Sequence, residues 1–217
     1  FGANGTKMFV AGDNNEHIYS YNLSTAYDLA SATYNQNYDV AIRDGEPRGV
    51  TFNGDGTKMF VAGDQNRSIE SYNLSTAYDL GSAGYNQSFY IGEDGSPLGT
   101  TFNGDGTKMF VVGDNSGSVY SYNLSTAYDI GSASYNQSFG VSGQDSTPAG
   151  VTFGANGTKM FVAGDNNEHI YSYNLSTAYD LASATAFGYC VQRRRQQDVC
   201  GRIYERQRLQ LRFVDGV

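Results

Sequence analysis

A block of about fifty residues recurs along most of this chain, and this repetition constrains the fold more than any other feature. The segment Lys-Met-Phe-Val begins at Lys7 and returns at Lys58, Lys108 and Lys159, every 50 or 51 residues. Each copy is followed by a segment containing Tyr-Asn-Leu-Ser-Thr-Ala-Tyr-Asp. Repeats of roughly 40 to 50 residues without helical periodicity are typical of propellers and similar arrays. The period therefore predicts an all-β repeat protein.

Four strand candidates can be read in each complete repeat. In the second repeat they are Gly49 to Phe52, Lys58 to Gly63, Ser68 to Asn73 and Ala83 to Ile91. All four are rich in aromatic or β-branched residues and are bounded by Gly, Asn and Asp. The Asn-Gly-Asp-Gly-Thr segment at 53–57 favours a tight turn between antiparallel strands. Four short antiparallel strands per repeat make up one blade of a β-propeller.

The repeat motif also resembles a known family. A Pro-x-Gly-x-x-Phe segment, an Asn/Asp-Gly-Thr-Lys turn, a Met-Phe-Val strand and a strand ending in Tyr-Asn-Leu-Ser-Thr-Ala look like the bacterial propeller repeats of the YVTN and related classes. The resemblance covers Phe1 to Thr185. It implies a propeller fold. The sequence leaves the cellular location open, with an extracellular or cell-surface location favoured. Those families include ligand binders, surface proteins and accessory domains of enzymes, so the resemblance assigns no activity.

The blade repeats run over 1–48, 49–98, 99–149 and 150–185, and we expect one propeller domain over 1–217. Phe1 corresponds to the last residue of a first strand, so the first blade should lack its innermost strand. Propellers often close by borrowing such a strand from the other end of the chain. We therefore expect four blades plus a partial fifth, five in all. The chain should be a monomer if its tail closes the ring and an oligomer otherwise.

The tail, residues 186–217, no longer follows the repeat. Read in a shifted codon frame it becomes similar to another blade, which indicates an out-of-frame junction after Thr185. Phe1 to Thr33 is identical to Phe153 to Thr185, a second sign of recombination between repeats. Alternating apolar residues predict a strand at Leu209 to Val214, which could lie against the first blade. The alternative is a disordered tail.

Charge separates the repeats from the tail. Residues 1–185 carry 7 Lys and Arg against 19 Asp and Glu, whereas 186–217 carry 7 Arg against 3 acidic residues. An acidic body argues against nucleic acid as a partner, because phosphate contacts require a basic face. No apolar run approaches the roughly 18 residues of a membrane span. Both cysteines, Cys190 and Cys200, lie in the tail, where they could be free or bridged.

Several motifs have both a chemical and a structural interpretation. The oxygen-rich segments at 53–57 and 103–107 suggest calcium, but they lack the further ligands of an EF-hand loop, and a turn is favoured. His17 and His169 share one loop position without visible metal or catalytic partners. We assign the four methionines and most aromatic residues to the core rather than to sugar-stacking platforms. We predict no metal site, no cofactor, no catalytic residues and hence no enzyme.

The repeats differ from one another mainly in two of their four connections. The turns between first and second strands and between third and fourth strands scarcely change, whereas the other two connections differ in every complete repeat. Because successive strands are antiparallel, the variable loops should share one acidic face. Binding is usually found on loops that a rigid scaffold supports, although exposed loops also drift without selection. The candidate ligand-binding residues are Asp13, Asp44, Glu46, Asp64, Glu93, Asp94, Asp114, Asp145 and Asp165.

These observations predict a non-enzymatic binding or display scaffold whose partner is a protein or a glycan. One alternative is a carbohydrate-binding lectin with equivalent sugar sites between the blades. Another is a recombined repeat fragment with no selected function. Sugars bound at several equivalent positions would favour the lectin, and occupancy of one central site would favour the scaffold.

Overall fold

Antiparallel sheets follow one another along the chain, each built from one repeat. The computed structural model describes residues 1–2 and 4–190, apart from the side chains of 187–190. The strands within this part are β1 (Lys7–Gly12), β2 (His17–Leu23), β3 (Ala32–Asp39), β4 (Pro47–Phe52), β5 (Lys58–Gly63), β6 (Ser68–Leu74), β7 (Ala83–Tyr90), β8 (Pro97–Phe102), β9 (Lys108–Gly113), β10 (Ser118–Leu124), β11 (Ala133–Gly140), β12 (Pro148–Phe153), β13 (Lys159–Gly164), β14 (Ile170–Leu175) and β15 (Ala184–Cys190). Short 3₁₀ turns precede the last strand of each sheet at Leu29–Ser31, Leu80–Ser82, Ile130–Ser132 and Leu181–Ser183.

Each sheet is a meander whose strands pair in chain order, and we call the sheets blades 1 to 4. Blade 1 contains β1–β3, and the other three blades contain four strands each. In blade 2, Met59 pairs with Phe52 on one side and with Tyr72 on the other. The predicted strands of the second repeat are confirmed, the first beginning two residues earlier at Pro47. An all-β propeller of antiparallel blades is thus the observed fold.

Neighbouring blades pack face to face through apolar side chains. Between blades 2 and 3, Phe60 and Ile69 belong to one buried cluster with Met109 and Tyr122. Equivalent clusters join blade 1 to blade 2 and blade 3 to blade 4. The predicted core position of the methionines is confirmed for Met59, Met109 and Met160, which are fully buried against the preceding blade. Met8 of blade 1 has no preceding blade in the described part of the chain and is only half-buried.

Aromatic rings repeat within these interfaces. Phe60 lies 4.4 Å from Phe102 between ring centroids, and Phe102 lies 5.4 Å from Tyr128. The same arrangement recurs between blades 1 and 2 and between blades 3 and 4, in Phe9, Phe52 and Tyr78 and in Phe110, Phe153 and Tyr179. Rings at these distances stabilise one another beyond the area they bury. These rings therefore belong to the packing between blades.

The constant turn between the first two strands of a blade depends on one glycine. Gly56 has a φ of +74°, and the ring of Tyr78 lies 2.3 Å from the place that a Cβ would take. The Tyr78 hydroxyl donates a hydrogen bond to the Gly54 carbonyl at 3.0 Å. The Asp55 carboxylate accepts from both the backbone N–H and the hydroxyl of Thr57, so it closes the turn.

Replacing Gly56 with alanine should lower the free energy of unfolding by roughly 2–4 kcal/mol, because the methyl group would strain a left-handed residue and overlap the Tyr78 ring. Gly54→Ala is the matched control in the same turn, since no atom lies within 4 Å of its Cβ position. Urea denaturation of both variants measures the difference. Similar losses in the two variants would contradict the role given to Gly56.

The two ends of the array differ from the complete blades. Blade 1 has three strands in the described part of the chain, as the position of Phe1 predicts. Blade 4 is completed by β15, in which Cys190 pairs with Ile170, so this strand runs past the end of the repeat at Thr185. An antiparallel ladder uses backbone groups, and the altered sequence can therefore continue it.

The predictions for the remaining tail, namely the strand at Leu209 to Val214, the state of Cys200 and the partial fifth blade, lie outside the described residues. Among the residues that the structure does describe, no helix has the length and hydropathy needed to cross a membrane.

Candidate functional site

The variable loops lie together at one end of the blades. The backbone N–H of Val40 donates to the Glu16 carbonyl at 3.0 Å, and that of Asp64 donates to the Glu46 carbonyl at 3.1 Å. Loops between blades thus bond to the hairpin loops of the blades on both sides. We call this end the variable-loop face and define it by residues 13–16, 40–46, 64–67, 91–96, 114–117, 141–147 and 165–169.

Three of the nine candidate carboxylates on this face are buried. Asp44, Asp94 and Asp145 are 1%, 3% and 1% exposed. The Asp44 Oδ1 accepts from the backbone N–H of Glu46 at 2.8 Å, and its Oδ2 accepts from that of Asn66 at 3.0 Å. The predicted acidic face therefore does not present these three carboxylates to solvent, because they accept hydrogen bonds inside the loops.

Asp94 and Asp145 repeat this arrangement. The Asp94 carboxylate accepts from the Ser96 N–H at 2.9 Å and from the Ser116 hydroxyl at 2.6 Å. The Asp145 carboxylate accepts from the backbone N–H groups of Thr147 and Asn167, at 2.9 and 2.8 Å. Each carboxylate ties a loop between blades to the hairpin loop of the next blade, and we call the three contacts aspartate clamps.

A glycine beside each clamp makes room for the carboxylate. A Cβ on Gly63 would lie 2.2 Å from the Asp44 carboxyl carbon, and Gly113 and Gly164 stand in the same relation to the clamps of blades 3 and 4. The sequence does contain a signal for the clamps. The loops between blades share an Asp three residues before Pro, at 44, 94 and 145, although most of their other residues differ.

Replacing Asp44 with alanine should lower the free energy of unfolding by about 1–3 kcal/mol, because two buried amides would lose their acceptor. Ile42→Ala serves as the control, since Ile42 lies in the same loop and is 91% exposed. Surface changes of that kind usually alter stability by less than about 0.5 kcal/mol. Thermal and chemical denaturation provide the measurement, and equal effects in both variants would rule out the clamp.

Three other candidate carboxylates surround one guanidinium. Arg48 lies 2.8 Å from Asp13, 3.1 Å from Glu46 and 3.4 Å from Asp64, measured from its nitrogens to carboxylate oxygens. All four side chains are partly exposed, so solvent screens these pairs and each contributes little to stability. The structure thus brings together carboxylates of blades 1 and 2, and Arg48 compensates their charge.

Asp114 and Asp165 occupy the corresponding positions in blades 3 and 4. Arg48 is replaced in those blades by Leu98 and Ala149. Within the described ranges, no basic side chain lies within salt-bridge distance of either carboxylate. Among the residues that the structure describes, the uncompensated negative charge of this face therefore lies beside blades 3 and 4.

Glu93, the last of the nine, is exposed but bonded to blade 3. Its Oε2 accepts from the Tyr122 hydroxyl at 2.7 Å, and its carbonyl accepts from the Tyr120 hydroxyl at 2.9 Å. Burial, followed by this bond to a carboxylate, raises the pKa of Tyr122 above its usual value. Glu93 thus supports the interface beneath the loops.

The sequence interpretation missed one buried acid. Glu70 is 3% exposed and stands where the other blades carry Tyr19, Tyr120 and Tyr171. Its Oε1 accepts from the Ser68 hydroxyl at 2.7 Å, and its Oε2 has no hydrogen-bond partner among the described residues. Desolvation by burial raises the pKa of the Glu70 carboxyl. The sequence signal for this buried acid is that Glu70 replaces the tyrosine found in the other repeats.

Replacing Glu70 with glutamine should raise stability at pH 7 and have little effect near pH 4. A carboxyl whose pKa is raised by folding favours the folded state below its unfolded pKa of about 4.3, and that contribution is lost as pH rises through the folded pKa. Melting temperatures of both proteins at the two pH values test this. A glutamine variant that is no more stable at pH 7 would contradict the prediction.

The two histidines of the variable loops pack against aromatic rings. The His17 and His169 rings stack on Tyr19 and Tyr171, each with 5.9 Å between centroids. No group of three or more His, Cys, Asp or Glu side chains in that part of the chain could hold a metal ion. A cavity of about 350 Å³ lies at the constant-turn end of blades 1 and 2, with Phe1 in its lining.

Comparisons with known proteins support the fold. No protein-family model matches the chain, and no curated protein matches it. Among solved structures, a proposed 6-phosphogluconolactonase from Bacteroides uniformis is 14% identical with a TM-score of 0.59, and the match covers 86% of this chain and 55% of that one. A protein from Lactobacillus plantarum is 18% identical with a TM-score of 0.59, covering 85% and 52%.

A third structure, a functionally unknown protein from Desulfotomaculum acetoxidans, is 17% identical with a TM-score of 0.56, and the match covers 88% of this chain and 55% of that one. The chain thus spans about half the length of these structures. At identities this low the likeness concerns the fold alone. Fold and neighbours together define a β-propeller protein, a class suited to binding or scaffold roles.

Proposed function

We propose that this chain is a non-enzymatic binding or display scaffold that contacts its ligand through the variable-loop face. The aspartate clamps carry the proposal, because they fix the backbone of loops whose other residues differ from repeat to repeat. Rigid support beneath changing loop residues is the usual setting for binding. We also propose that the blades belong to the YVTN-like class and that 1–217 forms one domain, as the repeated motifs and the continuous stacking of blades suggest.

The charge of the face favours a cationic partner. Arg48 compensates the carboxylates of blades 1 and 2, whereas Asp114 and Asp165 have no such partner among the described residues. Complementary charge steers association and selects among partners. A basic segment of a protein therefore fits this part of the face better than a neutral glycan does.

The alternatives have less support. A lectin with sugar sites between blades requires space that the internal interfaces fill with buried apolar side chains. The proposed lactonases among the structural neighbours are 13–14% identical, a level at which the likeness concerns the fold alone. A recombined fragment without selected function agrees with the identity of Phe1 to Thr33 and Phe153 to Thr185, and it predicts no selective binding.

A fluorescent oligolysine peptide should bind the full chain at low salt, and the double variant Asp114→Asn with Asp165→Asn should weaken this binding about 3- to 10-fold. The reason is the loss of two carboxylates that lack a basic partner in the described part of the chain. Fluorescence anisotropy measures the dissociation constant, which should rise with ionic strength as screening increases.

The control is Asp55→Asn with Asp105→Asn at the constant-turn end. It removes the same charge, and Asn4 and Asn156 already accept the equivalent bond from threonine in the other two repeats. Binding should change by less than about 2-fold, as expected for exposed charges remote from the ligand. Equal losses in the two double variants, or no binding of the peptide, would contradict a cationic ligand at the variable-loop face.

A further inference from the structure

Two identical segments of this chain have different surroundings. Phe1 to Thr33 and Phe153 to Thr185 share every residue, so β1 and β2 of blade 1 repeat β13 and β14 of blade 4. Any difference in burial between them comes from their surroundings and not from their own sequence. This comparison identifies which surfaces of the two end blades have no neighbouring blade among the described residues, independently of what the variable loops bind.

Blade 1 exposes the face that blade 4 buries against blade 3. We call this the incoming face of blade 1 and define it by Met8, Val10, Tyr19, Tyr21 and Leu29. Val10 is 42% and Leu29 is 62% exposed, whereas their counterparts Val162 and Leu181 are fully buried against blade 3. The incoming face therefore carries the apolar side chains on which another blade can pack.

Blade 4 exposes the opposite half of the same interface. Its outgoing face consists of Phe161, Ala163 and Ile170, which repeat Phe9, Ala11 and Ile18. In blade 1 these residues pack on blade 2, and Ile18 is fully buried. Ile170 is 55% exposed. The two open faces thus have the chemistry of the two sides of an internal interface.

We propose that two copies of this chain associate head to tail, the outgoing face of each blade 4 packing on the incoming face of the other copy's blade 1. Such a contact repeats the face-to-face packing that joins each of blades 1 to 4 to the next. Two copies would place eight blades in one ring, within the usual range of propellers. Heterologous contacts of this kind close into rings when the rotation between units allows it.

Two observations favour a second copy over the chain's own tail as the occupant. The docking faces repeat residues that already pack together in this structure, whereas residues 191–217 are shorter than one repeat and lack its motif. The matched propellers are also about twice the length that this chain covers, so two copies supply the length of one such ring.

One polar contact of the internal interfaces is missing at this junction. The Gln36 amide donates to the Asp79 carboxylate of blade 2 at 2.6 Å, and Gln137 donates to Asp180 of blade 4 at 2.8 Å. In blade 4 the register position of Gln36 holds Gly188, opposite Ser172. The junction therefore binds less tightly than an internal interface, and Gly188→Gln should restore a donor to Asp28.

The full chain should appear by size-exclusion chromatography with light scattering at twice its mass of 23.5 kDa, in a concentration-dependent manner. Val10→Glu and Ile170→Glu should each raise the dissociation constant at least about 100-fold, because each places an unpaired charge in the contact. Both positions are exposed, so the variants should fold, and circular dichroism checks this. Gly188→Gln should tighten association about 3- to 10-fold.

Mixing the two glutamate variants tests the direction of the contact. The Val10→Glu copy keeps its outgoing face and the Ile170→Glu copy keeps its incoming face, so the mixture should form 1:1 pairs that neither variant forms alone. A mixture that stays monomeric while the unmodified chain pairs would overturn head-to-tail docking. A full chain at 23.5 kDa at every concentration would also overturn the proposal.

Discussion

Packing between blade faces is the interaction on which this structure depends. A single meander sheet is marginal in water unless its faces are covered, and here neighbouring sheets cover them. Every residue of β5 from Met59 to Gly63 is buried, as is the corresponding stretch of β9, because an inner blade is covered on both sides. Each large apolar side chain so buried contributes about 1.5–3 kcal/mol. In the two inner blades, the Met-Phe-Val segment supplies the side chains for this double burial.

The turns at one end of the blades are constant and the loops at the other end vary, because their hydrogen bonds and contacts require different numbers of specific side chains. At the constant-turn end, Tyr78 has a φ of 58° and its ring lies against Gly56, so both residues are required. At the variable-loop face, a clamp requires one Asp and one Gly packed against it, and the carboxylate accepts mainly from backbone N–H groups, with the Ser116 hydroxyl as a further donor to Asp94. Loop residues outside the clamp can therefore differ without loss of the loop's position, which is the property that a binding face needs.

Much of the fold could be predicted from local patterns, but less of the site could. Turn residues and apolar strands are local signals, and they locate the strands of blade 2 to within about two residues. The site depends on which side chains are buried, and three of the candidate carboxylates, Asp44, Asp94 and Asp145, are buried contrary to the expectation of an acidic surface. Aspartate is mostly exposed in proteins, so an acidic loop is read as an acidic surface. The cluster around Arg48 combines residues 13, 48 and 64 of two blades, a proximity that only the packed structure reveals.

The interface between blades 1 and 2 differs from the other two internal interfaces at two positions, which hold Glu70 and Arg43. In blades 3 and 4 the buried tyrosine hydroxyls reach Glu93 and Gln144, but the equivalent residue facing Tyr72 is Arg43, which offers no acceptor. The Tyr72 hydroxyl accordingly has no partner among the described residues. Burial raises the pKa of the Glu70 carboxyl, whereas the positive charge of Arg43 lowers it. Arg43 thus partly offsets the cost of burying this acid. The two unsatisfied polar atoms lower the stability of this interface, and the raised pKa of the Glu70 carboxyl makes that stability depend on pH.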